Sequence, residues 1–537
     1  MTTMVMVATA GGAQAPSCAV ARGAVVPLGM SGARIASVTI VTEPPRVAPR
    51  ALERVIHGRT RPGVIRRELL FAAGDTVDTL RVAESMRRLR SLGLLDDAYV
   101  EARRCSATTA GGDGGGPVDI RVVTRDAWST TPVVRLRGSS ASVGVNERNA
   151  LGSGVALRAT AQDDGGRLGV ATSARAPGLP WSGAAVEVGG VAYRNGGTWF
   201  GAVGPRSAWP TERWIVDGRL AESEQEPRSQ PGAHFQRGSS SLFVGRRVGD
   251  TARQSSYLLA GAEGERADLT LANGAAPVVG PRFVHRDYAG LALGAVRASA
   301  RFDTVSWLLP GSGVADVPRG TEGAMTLGAG RDRMAGRTAG HVDLWTGRAF
   351  SRPGSGSVAV GDVWASGYFG DELLSASTVR GSLVLLRQAP RGLWTFRVAG
   401  ERLMRPDPDV HALALLDPAA AALPRPSRFA EAAFAASAER DVHLRAVTGS
   451  LGVDGALFAA GSFHWDPTLS GSNDNLGVAV VGAGLRLAPW HTPRNTIRLD
   501  VGMPLIRTPG VRSRPYVAIS VVPWPLLGRE RDGRRLP

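Results

Sequence analysis

From residue 128 onward, apolar and polar side chains alternate in short stretches broken by clusters of Gly, Pro, Asp and Asn. VALRATAQ (155–162) sets Val155, Leu157, Ala159 and Ala161 against Arg158, Thr160 and Gln162. WTFRVAGE (394–401) sets Trp394, Phe396 and Val398 against Thr395, Arg397 and Glu401. VHLRA (442–446) opposes Val442, Leu444 and Ala446 to His443 and Arg445, and IRLDVGM (497–503) opposes Ile497, Leu499, Val501 and Met503 to Arg498 and Asp500. Successive side chains on a strand point to opposite faces, so each stretch is predicted to be a strand with one oily and one charged face. Two architectures satisfy this pattern. In a soluble sandwich or propeller the oily faces meet each other; in a membrane barrel they meet lipid while the charges line a wet interior. Alternation alone leaves both open.

The chain before residue 128 has another rhythm. IASVTIVT (35–42) reads as a strand. Thr60-Arg61-Pro62 then opens a stretch in which Ile65, Leu69 and Ala72 fall at helical spacing, until Gly74-Asp75 breaks it. Asp78 is an N-cap for a second helix, in which Val82, Met86, Leu89 and Leu92 form one apolar stripe with Arg81, Glu84, Arg88 and Arg90 outside. Gly93 stands where a helix end favours a residue free to take positive φ. Strands over 97–104 and 118–125 complete the order β-α-α-β-β.

Composition narrows the function classes. The chain has 537 residues, and its 63 basic side chains are all arginine, against 47 acidic ones, for a net charge of +16. These arginines are scattered singly and aromatics are only 6%, so no nucleic-acid stripe is expected. Two cysteines, Cys18 and Cys105, exclude a disulfide-stapled scaffold and a cysteine-based zinc site. No run approaches 18 uninterrupted apolar residues, which excludes membrane-spanning helices. Residues 1–32 are expected to be an export and linker segment, with an Ala-x-Ala-like ending at Ala13-Gln14-Ala15.

The run from Ile65 to Ala102, with Gly74-Asp75 between the helices, the Ser85 and Leu89 register, and Leu92-Gly93-Leu94 leading into a strand, resembles a POTRA domain. That module belongs to the outer-membrane assembly and translocation superfamily (bacterial surface antigen family). VNERNALGSGVALRA (145–159) resembles the superfamily's opening barrel strands, with Asn149, Gly152 and Gly154 at its Asn-Leu-x-Gly-x-Gly positions, and 124–132 is similar to its hinge into the barrel. Stretches 455–467, 476–489 and 495–505 follow its closing strands in order. Val379-Arg380-Gly381 stands for the superfamily's loop signature, whose arginine locks into the lumen, but Ser382 replaces the aromatic. The resemblance implies a mostly β protein: one periplasmic POTRA over 33–127, a closed antiparallel transmembrane β-barrel of about 16 strands over 128–528, and a tail over 529–537. Arg397, Glu401, Arg486, Arg498 and Asp500 are expected as lumen charges, and 405–440 as a long insertion with an Ala-rich helix near 428–439.

The chemistry that is missing is informative. Without lysine there is no Walker phosphate loop, Schiff-base enzyme or Ser-Lys dyad. There is no Gly-x-Ser-x-Gly elbow, and the eight histidines show no metal spacing. Asp407-Pro408-Asp409 reads as a surface turn and not as a calcium loop. No catalytic residue, metal or cofactor is therefore expected. The resemblance implies an outer-membrane barrel that inserts or translocates client polypeptides, with a client strand adding to the edges at 35–42 or 97–104. Its partners would be outer-membrane lipid, unfolded clients and a periplasmic chaperone or accessory subunit. The alternatives are a passive surface barrel, a lumenal lipase or protease, and a soluble periplasmic β protein.

Overall fold

The computed structural model describes residues 18–23, 30–45, 58–105, 116–137, 140–164, 167–178, 184–205, 212–226, 233–251, 254–271, 285–299, 302–305, 315–352, 355–370, 375–404, 432–444, 451–465, 476–489, 495–505 and 514–523. They fall into two compact units, one within Met1–Arg46 and Arg59–Ala127, the other within Val47–Gly58 and Trp128–Pro537. The expected cleavage site at 13–15, the Asp407-Pro408-Asp409 turn and the 529–537 tail lie outside the described residues.

The first unit contains β1 (Cys18–Gly23), β2 (Ile35–Glu43), α1 (Pro62–Arg66), α2 (Thr79–Ser91), β3 (Leu95–Cys105) and β4 (Val118–Asp126), with sheet order β1-β3-β4-β2. The β1–β3 and β3–β4 pairs are antiparallel, and β2 runs parallel to β4. The apolar stripe of α2 dictates the core: Val82, Met86 and Leu89 pack with Ile35, Val100 and Ile120, all essentially solvent-free. Asp78 caps α2 as the sequence predicts, Oδ1 accepting from the backbone N–H of Leu80 at 2.9 Å and of Arg81 at 3.3 Å. Gly93 ends it at a φ of 79°.

Two expectations for this unit are corrected. α1 stops at Arg66, so Leu69 and Ala72 are not helical; the Leu70 and Ala72 N–H groups bond instead to Ser85 Oγ and Asp75 Oδ2, each at 2.8 Å. Arg88 is buried and not outside, because it folds with Arg87 onto Glu84. Within 1–32, β1 takes up the backbone groups along the outer edge of β3 from Cys18–Cys105 to Gly23–Val100.

The second unit is a closed antiparallel barrel of 20 strands. The wall begins with β5 (Thr130–Arg137), β6 (Ser140–Ala150), β7 (Val155–Asp164), β8 (Leu168–Ala176), β9 (Ala184–Tyr193) and β10 (Gly196–Pro205). β11 (Trp214–Gln225), β12 (Ala233–Thr251), β13 (Gln254–Leu271) and β14 (Arg286–Ser299) continue it. A hairpin of β15 (Phe302–Val305) and β16 (Ala315–Pro318) stands apart, and the wall resumes with β17 (Gly320–Asp332), β18 (Arg337–Arg352), β19 (Ser357–Phe369) and β20 (Ser375–Ala389). β21 (Gly392–Met404), β22 (Ala432–His443), β23 (Leu451–Trp465), β24 (Leu476–Pro489), β25 (Asn495–Pro504) and β26 (Tyr516–Pro523) complete it, and β26 returns to β5.

Twenty strands replace the expected 16 for two reasons. Some connections are very short, Arg194 and Asn195 alone joining β9 to β10. From residue 432 the Ala-rich stretch expected as helix is β22, whose Ala433, Ala435, Ser437, Glu439 and Asp441 face inward in strict alternation.

Burial decides the question that alternation left open. Leu291 and Leu293 on β14 are 75% and 70% exposed, while Arg286 and Ala292 on the same strand are each 2% exposed. Large apolar side chains likewise face out on strand after strand, among them Val143, Val170, Leu258, Leu327, Phe396, Leu457 and Val501. Among the described residues no second apolar layer covers them. A ring of outward oil around a polar interior, with no open sheet edge, is the arrangement hydrocarbon requires.

Candidate functional site

The wall is not uniformly zipped. β12 and β13 pair along their whole length, from Ala233–Leu271 to Thr251–Gln254. Between β26 and β5 only Ile519–Leu136 and Ser520–Arg135 are in register among the described residues. Leu136 points outward and is 45% exposed, so the seam presents apolar side chains where the ladder is shortest.

Beside this seam lies a buried ladder of charge on the inner face of β21, β22, β24 and β25. Inward positions alternate with lipid-facing ones, so Arg397, Glu439, Asp441, Arg486, Arg498 and Asp500 converge although they come from four strands. Glu439 is the hub. Its Oε1 accepts from Arg486 Nε at 2.9 Å, its Oε2 accepts from Arg498 Nη2 at 2.7 Å, and Arg397 stands 3.9 Å away. Arg486 also donates to Asp500 Oδ1 at 2.5 Å, and Arg498 Nε lies 3.6 Å from Asp500 Oδ2. Gly484 leaves the space these groups occupy, since a Cβ there would overlap the Asp500 carboxylate and the Arg486 guanidinium. Three guanidinium groups and three carboxyl groups meet inside the wall. On β23, β24 and β26 part of the lining is apolar, with Phe458, Val478, Val480, Tyr516 and Ala518 in one cluster. There Gly482 and Gly502 make room for the rings of Phe458 and Tyr516.

Four of the five lumen charges expected from sequence, Arg397, Arg486, Arg498 and Asp500, meet in this ladder. Glu401 lies on β21 in register with Arg380 and away from the hub. Glu439 was missed because an Ala-rich run gives little hydrophobic contrast between strand faces; the every-other-residue placement of Ser437, Glu439 and Asp441 was the available signal. Arg380 sits within β20, opposite Trp364 and Glu401, so it is carried by a strand and not by a loop.

Asn149, Gly152 and Gly154 form one turn between β6 and β7. Leu151, Gly152 and Gly154 take φ of 53°, 72° and 77°, a left-handed run that favours glycine. Asn149 is buried and organises it, Oδ1 accepting from Gly154 N–H at 2.8 Å and the backbone oxygen from Gly152 N–H at 2.9 Å. Its side-chain amide reaches the Gly58 carbonyl at 3.4 Å, and a Cβ on Gly58 would strike the Gly152 backbone. Glu147 accepts from both Asn149 N–H and the Thr130 hydroxyl, which ties the turn to the first residue of β5. In the first unit Gly74, at a φ of 94°, and Asp75 lie against the start of β2, Gly74 N–H donating to Ile35 O at 2.9 Å.

A second lumenal network escaped the sequence reading because its members are far apart in the chain. Tyr368 donates to Glu265 at 2.7 Å, Arg286 donates to Glu265 at 2.6 Å, and His341 stacks on Tyr368 while meeting Glu263 at 3.1 Å. On the inner wall the β15–β16 hairpin places Val305 and Val317 against Ala349, Val358, Val360, Leu386 and Leu393. Among the described residues no group of His, Cys, Asp or Glu is arranged to hold a metal ion.

Fold and site together define a transmembrane β-barrel with a short closing seam flanked by a buried ionic ladder. Similar solved structures include BamA from Haemophilus ducreyi lacking POTRA domains 1-3, at 12% identity over 90% of this chain and 84% of that one, with a TM-score of 0.35. CdiB from Escherichia coli is 12% identical over 92% of this chain and 76% of that one, with a TM-score of 0.43. CdiB from Acinetobacter baumannii is 10% identical over 91% and 74%, with a TM-score of 0.41. No family model and no curated protein matches the sequence.

Proposed function

We propose that this chain is an outer-membrane barrel that inserts or translocates client polypeptides, with its first unit acting as a periplasmic POTRA domain. The observation that carries this reading is the seam, held among the described residues by two residue pairs, where β12 and β13 pair along their whole length and β24 and β25 from Val480–Pro504 to Leu487–Ile497. A client segment would add as a strand to an exposed sheet edge of the first unit, where unpaired backbone groups await partners. In the described sheet β2 is such an edge beyond Ile35, whose own N–H and C=O bond to Asp75 and Gly74, whereas β3 is covered by β1. The seam would then part towards lipid, offering the edges of β5 and β26 to the incoming strand. The driving free energy would come from the client's own folding, without a nucleotide or a catalytic step. A periplasmic chaperone or accessory subunit would deliver the client.

The test is a reversible lock. Leu136→Cys with Ile519→Cys, in a chain whose Cys18 and Cys105 are replaced by Ser, joins the two strands when oxidised. The reading expects client levels in the outer membrane to fall at least tenfold in the oxidised state and to recover on reduction. Unchanged client levels with a fully formed crosslink would refute it.

A passive surface barrel is the second reading, favoured by the position of Arg380 in a strand where an arginine lock on a loop would be expected. It expects conductance by the purified protein in planar bilayers and no client defect in a deletion strain.

A further inference from the structure

We infer that Cys18 and Cys105 are a disulfide-forming pair that fastens β1 over the edge of β3, so that the chain carries its own strand on a surface a client would otherwise extend. The inference rests on the strand-addition reading for its consequence, but not for the bond itself. Its basis is register. β1 pairs antiparallel with β3 from Cys18–Cys105 to Gly23–Val100, so the two cysteine positions are direct cross-strand partners at one end of the ladder. Residues directly opposite on antiparallel strands have Cα atoms about 4.5–5.5 Å apart. A disulfide spans Cα separations of about 4.4–6.8 Å, a range that includes this cross-strand separation.

These are the only two cysteines among 537 residues, and the topology brings them to the same rung. β1 is also an outermost strand of the four-stranded sheet and meets only β3 there. A strand so placed can peel away through its own ladder alone, and a covalent link at the first rung would stop peeling from that end. The sheet edges then become asymmetric: β2 stays open, and the β3 edge opens only after reduction. The bond forms when the two thiols lose two protons and two electrons. The electron acceptor is the disulfide of a thiol–disulfide oxidoreductase, which leaves as a dithiol.

The test uses the full chain, purified without reductant from an oxidising compartment. Differential alkylation with mass spectrometry should recover the 18 and 105 peptides linked, and reactive to maleimide only after reduction. Two freely alkylated thiols would overturn the inference. Amide hydrogen exchange then tests the fastening. Exchange over 100–105 should rise at least tenfold on reduction, and equally in the C18S/C105S variant, while 118–126 in β4 stays unchanged. A linked pair whose reduction leaves 100–105 as protected as before would overturn the fastening role. Binding of a fluorescent peptide copying residues 17–25, with Ser at 18, separates the two readings: binding after reduction alone supports the covered edge. A linked pair with the exchange change but no peptide bound in either state leaves the fastening standing and counts against strand addition at this edge.

Discussion

The two sides of the seam are built differently. β5 to β10 line the lumen with small and polar side chains such as Ser142, Gly144, Gly169, Ser173 and Gly189, and few of their inward residues are buried. From β11 onward the inner face is packed. Ile215, Phe243, Tyr257, Leu259 and Val296 form one cluster, the β15–β16 hairpin covers another, and two ionic networks cross several strands. Outside, both sides are alike, since each presents oil to lipid. The lean side therefore depends mainly on its ladder, while the packed side adds side-chain ties between non-adjacent strands. The seam joins one to the other, and any parting there is expected to move β5 and its neighbours more than β26.

The comparison can be broken most severely at Glu439. Glu439→Ala leaves three buried guanidinium groups without their shared anion and is expected to cost about 3–5 kcal/mol. The midpoint of urea unfolding in detergent, followed by the heat-modifiable band, reads this directly. A smaller effect should be shared by both sides. Leu293→Arg on the packed side and Val170→Arg on the lean side each place a cation against hydrocarbon, at about 2–4 kcal/mol near the membrane centre. Equal losses in vesicles would confirm that the walls differ only within. Gly502→Val forces a side chain into the Tyr516 ring beside the seam and should cost about 1–3 kcal/mol by overpacking. On the lean side Ser173→Ala is expected to change stability by no more than about 0.5 kcal/mol.

Much of the barrel was legible in its alternation. Trp394, Phe396 and Val398 face out and Arg397 faces in, as their spacing predicts, and α2 with its Asp78 cap follows its apolar stripe. The strand count was not legible, because a turn as short as Arg194–Asn195 leaves little sequence between neighbouring strands. β22 was hidden by alanine, which suits a helix by intrinsic propensity and a strand only because the barrel needs closure there. β1 was hidden for another reason: its place is set by the edge of β3, more than 70 residues away in the chain. The Glu263, Glu265, Tyr368 and His341 network depends on how sharply the wall curves, and strand periodicity carries no record of curvature.

Amide hydrogen exchange of the full chain in detergent addresses the seam itself. Peptides covering 130–137 and 516–523 should exchange at least tenfold faster than 257–264 in β13, because among the described residues one side of each seam strand has two residue pairs to protect it. Protection over 130–137 and 516–523 equal to that of β13 would mean a wall zipped evenly all the way round, and the account of a parting seam would be wrong.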